Sequence, residues 1–341
     1  MSSALGGRVT ITDVARTAGV SIATVSKVIN GRYGVAAATS ERVQQVIADL
    51  GYESSLVARS LRSHRTNVIG ILVAEFEPFS TEILKGTSDA IAGSGYELLA
   101  YSGGGRTGED VGWERRYLSR LSGTLIDGAV LVTPTVVSLG GSVPVVAIDP
   151  HAGPADMPTV DADNFSGALL ATEHLLRLGH RRIGFLGGRP DLESARLREE
   201  GYRAALERAG LAVDPELVRV GGYRRQQAAA PARELLSLPE PPTAIFAAND
   251  LSAIGTMDVA REMGVRVPQD LSVVGFDNVP ESALTEPPLT TVEQPIRDMG
   301  ARAVEMLIAL LGDTPLSSAE DLPPHVQLPT RLVPRGSTRP L

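Results

Sequence analysis

From residue 68 to residue 334 the chain alternates short apolar runs with amphipathic segments, and nothing else in it constrains the fold as tightly. The runs are 68–73, 97–101, 128–132, 143–148, 183–187, 217–220, 244–247 and 271–276. They are rich in Val and Ile and stay apolar throughout instead of alternating in polarity. A strand apolar on both sides belongs in a parallel sheet covered by helices on both faces. The intervening segments, such as 168–178, 196–209 and 251–263, show helical periodicity. This alternation predicts an α/β architecture of doubly wound parallel sheets. The length suits two units of about five strands each. A further amphipathic helix, 296–311, has apolar residues at Ile296, Met299, Gly300, Ala303, Val304, Leu307 and Leu310. It follows the second unit and precedes one more expected strand, 326–333. That order fits a chain crossing back between two lobes.

The first 66 residues read differently. The net charge of −8 argues against a polyanion partner for the whole chain. Yet residues 1–66 hold eight basic and four acidic residues, so this head is +4 and the rest is −12. A basic head on an acidic body points to a polyanion partner for the head alone. Three short helices fit within 10–50. Thr10, with Asp13 three residues on, caps the first, which Gly19 stops. Ser21 caps the second, 22–29, with Val25, Val28 and Ile29 on one face. The third starts near Thr39 and runs 41–50, with Val43, Val46, Ile47 and Leu50 inward. Two helices joined by a tight glycine turn and braced by a third form a helix-turn-helix pattern. The second helix would then enter the major groove, presenting Ile22, Ala23, Ser26 and Lys27. Spacing alone also fits a generic three-helix bundle.

The specific residues separate these readings. The ordered run Val9-Thr10-Ile11, Asp13-Val14-Ala15, Ala18-Gly19-Val20-Ser21, Thr24-Val25-Ser26-Lys27-Val28-Ile29-Asn30 resembles the head of the lactose-repressor (LacI/GalR) family. The resemblance implies DNA contacts from Thr10, Ser21, Ile22, Ala23, Thr24, Ser26, Lys27, Asn30 and Thr39. The family usually has Arg where Lys27 stands. Lys lacks the planar fork that grips guanine, so Lys27 is expected to read bases less sharply or to hold a phosphate. Ile22 and Ala23 fall where the family varies to choose its operator, and both suit thymine methyl groups. The stretch 53–66 resembles the family hinge, which becomes helical on DNA. There Ala58 and Leu61 are expected in the minor groove, with Leu61 as the wedge between base pairs. Ser54-Ser55 replaces the family's common Pro-Asn.

Further matches, 179–185, 248–250, 273–277, 288–292 and 328–332, extend the resemblance along nearly the whole chain. They imply a core like a type I periplasmic-binding protein. The expected organisation is a head at 1–52, a hinge at 53–66 and a core at 67–341. Lobe 1 would hold roughly 67–162 and 293–324, and lobe 2 roughly 163–292 and 325–341. In open α/β sheets, ligands sit at the carboxyl ends of strands. That rule selects Asp149, Asn249, Asp250, Asp277 and the stretch 75–79. Carboxylates, an amide and aromatics suit a polyol better than a phosphate. The resemblance implies effector contacts at Asp149, Asn249 and Asp277 and adds Arg198. Phe79 and Tyr223 are candidates for a stacking face, and Ser80 is a further effector position. For each, the plainer alternative is a helix cap or a lobe-interface ion pair. The purine-responsive branch has an aromatic where Ser80 stands and an Arg where Leu192 stands, so a mono- or oligosaccharide is the expected effector. Trp113 lies in an amphipathic segment and reads as packing.

Other chemistry is weak. The chain has no cysteine, which excludes thiolate zinc sites and cysteine nucleophiles. Gly103-Gly104-Gly105-Arg106 lacks the Lys-Ser/Thr of a phosphate loop. The five histidines show no metal spacing. No enzyme, cofactor or metal site is expected, and neither a membrane span nor an apolar leader, so the expected location is the cytoplasm. The run 332–337 resembles a thrombin-cleavage sequence as well as the family's natural ending. No leucine heptad follows it, so a homodimer on pseudopalindromic operator DNA is expected. The sign of control stays open between a sugar inducer and, alternatively, a corepressor-dependent regulator or activator with a non-sugar effector.

Overall fold

The computed structural model describes residues 9–29, 33–52, 65–103, 112–136, 143–153, 157–312 and 324–341. The expectations for Asn30, Ala58 and Leu61 lie outside the described residues. The chain divides into two compact units, the head and the core.

In the head, α1 (Ile11–Ala18), α2 (Ile22–Ile29) and α3 (Ala37–Leu50) pack around Val14, Ala15, Ala18, Val25, Val28 and Val43. Thr10 opens α1 through a reciprocal cap. Its backbone N–H and its hydroxyl donate to Asp13 Oδ2 at 3.0 and 2.7 Å, and the Asp13 N–H donates back to Thr10 Oγ1 at 3.4 Å. Gly19, at φ 65°, turns the chain out of α1 in the left-handed region that glycine tolerates. Ser21 Oγ accepts the Thr24 N–H at 3.1 Å and opens α2. The third helix begins two residues before Thr39. Its cap position is Ala36, which offers no side-chain acceptor, so the Ser/Thr signal misplaced the start.

The core holds two six-stranded sheets. The first contains β1 (Val68–Val73), β2 (Glu97–Ser102), β3 (Gly128–Val132), β4 (Val145–Ile148), β5 (Thr159–Ala162) and β11 (His325–Leu328). Its order is β11-β5-β4-β3-β1-β2. The second contains β6 (Ile183–Gly187), β7 (Val218–Val220), β8 (Ala244–Ala247), β9 (Ser272–Asp277), β10 (Thr290–Glu293) and β12 (Arg331–Val333). Its order is β12-β10-β9-β8-β6-β7. Both sheets thus repeat one doubly wound order, each with a sixth strand added beside the fifth. Every pairing is parallel except β10 with β12. β5 and β10 escape the apolar-run signal because they read Thr-Val-Asp-Ala and Thr-Thr-Val-Glu. Their threonines are nonetheless buried and hydrogen-bonded, as with Thr291 Oγ1 donating to Asp250 Oδ1 at 2.5 Å.

Helices cover both faces of each sheet. In lobe 1 they are α4 (Pro78–Ile91), α5 (Trp113–Leu121) and α10 (Ile296–Leu310). In lobe 2 they are α6 (Asn164–Arg177), α7 (Glu193–Arg208), α8 (Arg225–Leu236) and α9 (Asp250–Glu262). The return helix α10 packs into the lobe 1 core against α4, as its apolar stripe predicts. The two helices meet glycine to backbone. A Cβ on Gly86 would lie 1.9 Å from the Arg297 carbonyl oxygen, and one on Gly300 would lie 2.4 Å from that of Ile83.

The expected single strand 326–333 is two strands in different sheets, which corrects the lobe assignment of 325–328. β11 extends lobe 1 beside β5, pinned by His325 Nε2 at 2.8 Å from Asp161 Oδ2. Pro329 has no N–H to continue a ladder, and the chain crosses to lobe 2 before β12 begins. Residues 334–341 then pack into lobe 2. Ser337 is fully buried, and its Oγ donates to the Val273 carbonyl at 2.6 Å and accepts the Thr290 N–H at 2.8 Å. The thrombin-like run is therefore an integral part of this lobe. No helix among the described residues is long and apolar enough to cross a membrane.

Candidate functional site

The carboxyl ends of both sheets face one cleft between the lobes. Its walls include Phe79, Trp113, Asp149, Arg198, Tyr223, Asn249, Asp277 and Gln294. Among the described residues, six non-glycine residues have positive φ, and four of them, Thr133, Asp149, Tyr223 and Asp277, line this cleft. Backbone held in such a sparsely populated region concentrates at binding sites, where the surrounding structure enforces it.

Arg198 is the centre of charge. It enters from α7, the helix after β6, and is almost wholly buried. Its Nε donates to Asn164 Oδ1 at 2.8 Å. Its Nη1 donates to the Ala248 carbonyl at 2.5 Å and reaches Asp277 Oδ1 at 3.4 Å. The guanidinium lies 3.9 Å from the Phe276 ring centroid and 5.5 Å from that of Tyr223. Asp277 ends β9, and its Oδ1 also accepts from Gln294 Nε2 at 2.6 Å. Burial pushes the Asp277 carboxyl up to about 7, with Arg198 and Gln294 pulling down and Glu77 and Asp149 pushing further up. Burial likewise raises Asp149 to about 6, partly offset by Arg198. Glu77 is also raised by burial. One buried guanidinium therefore faces two carboxyls, Asp277 and Asp149, whose protons burial holds well above the ordinary carboxylate range.

Two buried polar atoms on these walls have no hydrogen-bond partner, Tyr223 Oη and Gln294 Oε1. A buried polar group left unpaired costs about 1–3 kcal/mol, so both favour a ligand that bonds to them.

The other expected positions separate. Asn249 lines the cleft but is occupied with structure. Its Oδ1 accepts the Ser252 N–H at 2.9 Å as the cap of α9, and its Nδ2 donates to the Tyr223 carbonyl at 3.0 Å. Ser80 does not line the cleft. It is buried in the first turn of α4, where its hydroxyl accepts the Glu77 N–H at 2.9 Å and donates to the Glu75 carbonyl at 2.7 Å. Asp250 also lies off the wall, accepting from Thr291 and from the Val279 N–H at 2.9 Å. Phe79 stands on the wall at the start of α4. Trp113 packs as expected, 3% exposed, yet it lines the cleft as well. Sequence reasoning missed Gln294, which follows β10. The strand-end rule would have selected it had β10 been legible.

Contacts also bridge the lobes at the rim. Arg224 pairs with Glu75. The Glu193 N–H donates to the His151 carbonyl at 2.8 Å. Burial and the Arg189 charge hold His151 down at about 4, so its 3.4 Å approach to Asp191 at neutral pH is not an ion pair.

These shifts set a pH dependence. A carboxyl with a raised folded-state pKa stabilises the fold below its unfolded pKa, and that stability is lost as pH rises through the folded value. The lowered histidines act oppositely below about 6.5. Between pH 6.5 and 8, Asp277 therefore titrates, next to Asp250, whose carboxyl burial and the Asp277 charge hold well above the ordinary range. The melting temperature of the ligand-free protein should fall over this window, and Asp277→Asn should flatten the fall. An unchanged slope in that variant would refute the assignment.

In the head, α2 turns Ile22, Ala23 and Lys27 outward, with Ile22 46% exposed, while Val25 and Val28 are buried. Ser26 and Thr24 are half-buried, and Thr10 lies exposed at the start of α1. Thr39 is half-buried inside α3. An exposed isoleucine on a short helix that also carries an outward cation suits a groove floor better than open water.

Comparison with known proteins agrees with both units. Residues 10–55 match the lacI family of bacterial regulatory proteins, and 172–338 match a periplasmic-binding-protein-like domain. The chain is 36% identical over 334 residues to the ribose operon repressor of Halalkalibacterium halodurans, covering 97% of each. It is also 36% identical over 315 residues to the HTH-type transcriptional repressor PurR of Aliivibrio salmonicida, covering 89% of this chain and 92% of that one. Among solved structures, the lac repressor dimer bound to operator and the anti-inducer ONPF superposes with a TM-score of 0.82. The identity is 29%, over 98% of this chain and 100% of that one. With an outward-facing recognition helix at one end and a two-lobed cleft in the core, the chain belongs to the lacI family of bacterial regulatory proteins, transcriptional repressors that bind DNA and answer to small-molecule effectors.

Proposed function

We propose that this protein is a homodimeric cytoplasmic repressor, acting by binding alone, which a sugar releases from a pseudopalindromic operator. Equal identity to a ribose operon repressor and to PurR means that whole-chain likeness does not choose the effector. The cleft does. The observation that carries the reading is the convergence of Asp149, Asp277, Arg198 and two unpartnered polar atoms on one wall system. Carboxylates accept from vicinal hydroxyls, the guanidinium donates, and aromatic walls take the C–H face. Leu192, apolar on the same wall, offers no donor for a heteroaromatic base.

The test is thermal unfolding against monosaccharides, oligosaccharides and nucleobases. A ligand at 100 times its Kd adds about 2.7 kcal/mol of stability. A shift from a purine and none from any sugar would overturn the reading. If Asp277 must be ionised to accept a hydroxyl, sugar affinity should tighten about tenfold from pH 6 to pH 8.

On DNA, we propose that α2 lies in the major groove with Ile22 and Ala23 over base edges, that Asn30 and Thr39 contact the backbone, and that paired Ala58 and Leu61 enter the minor groove. Lys27→Ala should weaken operator binding by about 1–3 kcal/mol. If Lys27 holds a phosphate, the loss is uniform across sequences and the salt slope drops by about one. Binding measured at several salt concentrations, on selected and random duplexes, checks this. The DNA reading fails if the purified protein prefers no palindrome over random DNA.

A further inference from the structure

We propose that Arg335, in the tail that packs into lobe 2, is a positioning residue for the effector: through Asn278 it fixes where the Asp277 carboxyl stands. This rests on the reading of Asp277 as an effector contact and extends it outside the cleft, whose walls do not include Arg335.

The backbone leaving β9 has an unusual shape. Asp277 stands at φ 112° and Asn278 at φ 59°, two consecutive non-glycine residues with positive φ. Such backbone is sparsely populated and persists only where its surroundings enforce it. The side chain that grips it lies 57 residues further along the chain. Arg335 Nη2 donates to Asn278 Oδ1 at 2.5 Å. Its Nη1 donates to the Leu289 carbonyl at 2.7 Å and to Ser282 Oγ at 3.1 Å. One planar guanidinium thus ties together the start, the middle and the end of the loop 278–289, and its fixed fork sets their spacing. That loop leaves Asp277 and leads through β10 to Gln294, so it carries both members of the Gln294–Asp277 hydrogen bond.

The anchor itself is fixed through its backbone. The Arg335 N–H donates to Thr290 Oγ1 and the Gly336 N–H to the Pro288 carbonyl, both at 2.9 Å. The buried Ser337 then locks the tail to β9 and β10. Arg335 also supports the loop by charge. The Val279 N–H donates to Asp250 Oδ2 at 2.9 Å, and the Arg335 cation draws the Asp250 carboxyl down against burial and the Asp277 charge. The charged groups that face Asp277 itself are Arg198 from α7, Asp149 after β4, Glu77 before α4 and Asp250 at the start of α9. Arg335 acts on it through Asn278 and Asp250.

The full-length protein and its variants are titrated with ribose, glucose, cellobiose, adenine and guanine, and the melting temperature of each variant separates lost affinity from lost fold. Arg335→Ala and Asn278→Ala should each weaken the compound that binds by about tenfold. Asn278→Gly should cost about threefold or less, because glycine takes positive φ without an anchor. Adding Arg335→Ala to Asn278→Gly should then cost little more. If Arg335→Ala fails to fold, the contrast between Asn278→Ala and Asn278→Gly decides. Equal losses with and without Asn278→Gly overturn the proposal. So does wild-type affinity in Arg335→Ala while Asp277→Asn binds weakly, which leaves the cleft reading standing. Wild-type affinity in Asp277→Asn overturns both. Binding by a nucleobase and by no sugar overturns the sugar reading, and that base then serves for the comparison.

The ligand-free protein gives a second readout, which decides if no compound binds. Arg335→Ala should move the fall in melting temperature to higher pH, since Asp277 parts from Arg198 and Gln294, which hold its carboxyl down, and Asp250 loses a cation. Adding Asn278→Gly should reverse part of that shift, because it restores the backbone and not the charge. No shift, or no reversal, overturns the proposal.

Discussion

Arg198→Met should leave operator binding intact and abolish its release by the effector, giving a repressor that stays on DNA. The head packs around its own core, so a change deep in the cleft does not touch the recognition helix. At the cleft the loss is large. The guanidinium is the buried cation beside Asp149 and Asp277 on the inner wall, and hydrogen bonds to a charged group are each worth about 1.5–3 kcal/mol. Two of them to a sugar amount to a loss of affinity of at least about a hundredfold. Removing one partner of a buried ion pair costs about 3–5 kcal/mol of stability where the other is stranded charged. Here Asp277, at about 7, takes up a proton with little penalty, so the variant should fold and be most stable below that pH. Operator titrations with and without the stabilising sugar decide the matter. A variant that is still released at wild-type sugar concentrations would remove Arg198 from the site.

The second large effect is in packing. Gly300→Ala puts two expectations in conflict. Helix propensity predicts a gain of about 1 kcal/mol for replacing a helical glycine. The close approach of α4 and α10 predicts a loss, because the new Cβ would stand 2.4 Å from a backbone oxygen that cannot rotate aside. Overpacking of this kind costs about 1–3 kcal/mol and occasionally more, so the loss wins. Gly86→Ala, with its Cβ 1.9 Å from the Arg297 oxygen, should be worse. Urea unfolding measures both. A stabilised Gly300→Ala would show that the two helices separate at no cost.

How much of this was legible depended on where each residue's partners lie. The buried strands announced themselves because β1, β3, β6 and β8 are apolar on both sides. β5 and β10 did not, since their polar threonines are satisfied by groups distant in sequence, such as Asp250 for Thr291. The same blindness hid Gln294, which sits one residue past β10. Asn249 was legible as a strand-end amide and its cap bond to Ser252 is local, but its bond to the Tyr223 carbonyl exists only once the loop after β7 meets it. Ser80 was misplaced by one helical turn's geometry, since α4 directs it into its own cap. Pro329 carried the signal for splitting the last strand, and the apolar pattern on either side of it overrode that signal.

The two lobes are joined by three short crossings, after Ala162, after Glu293 and after Leu328. A single strap would act as a swivel, free in several directions. Three leave essentially one rotation, because any other movement would stretch at least one of them. Gln294 and Asp277 stand beside the second crossing, close to the axis, whereas the rim pair Glu75 and Arg224 stands at the far end of the walls. The core is therefore a lever loaded near its pivot. A displacement at the inner carboxyls too small to break a hydrogen bond becomes a wider arc at the rim.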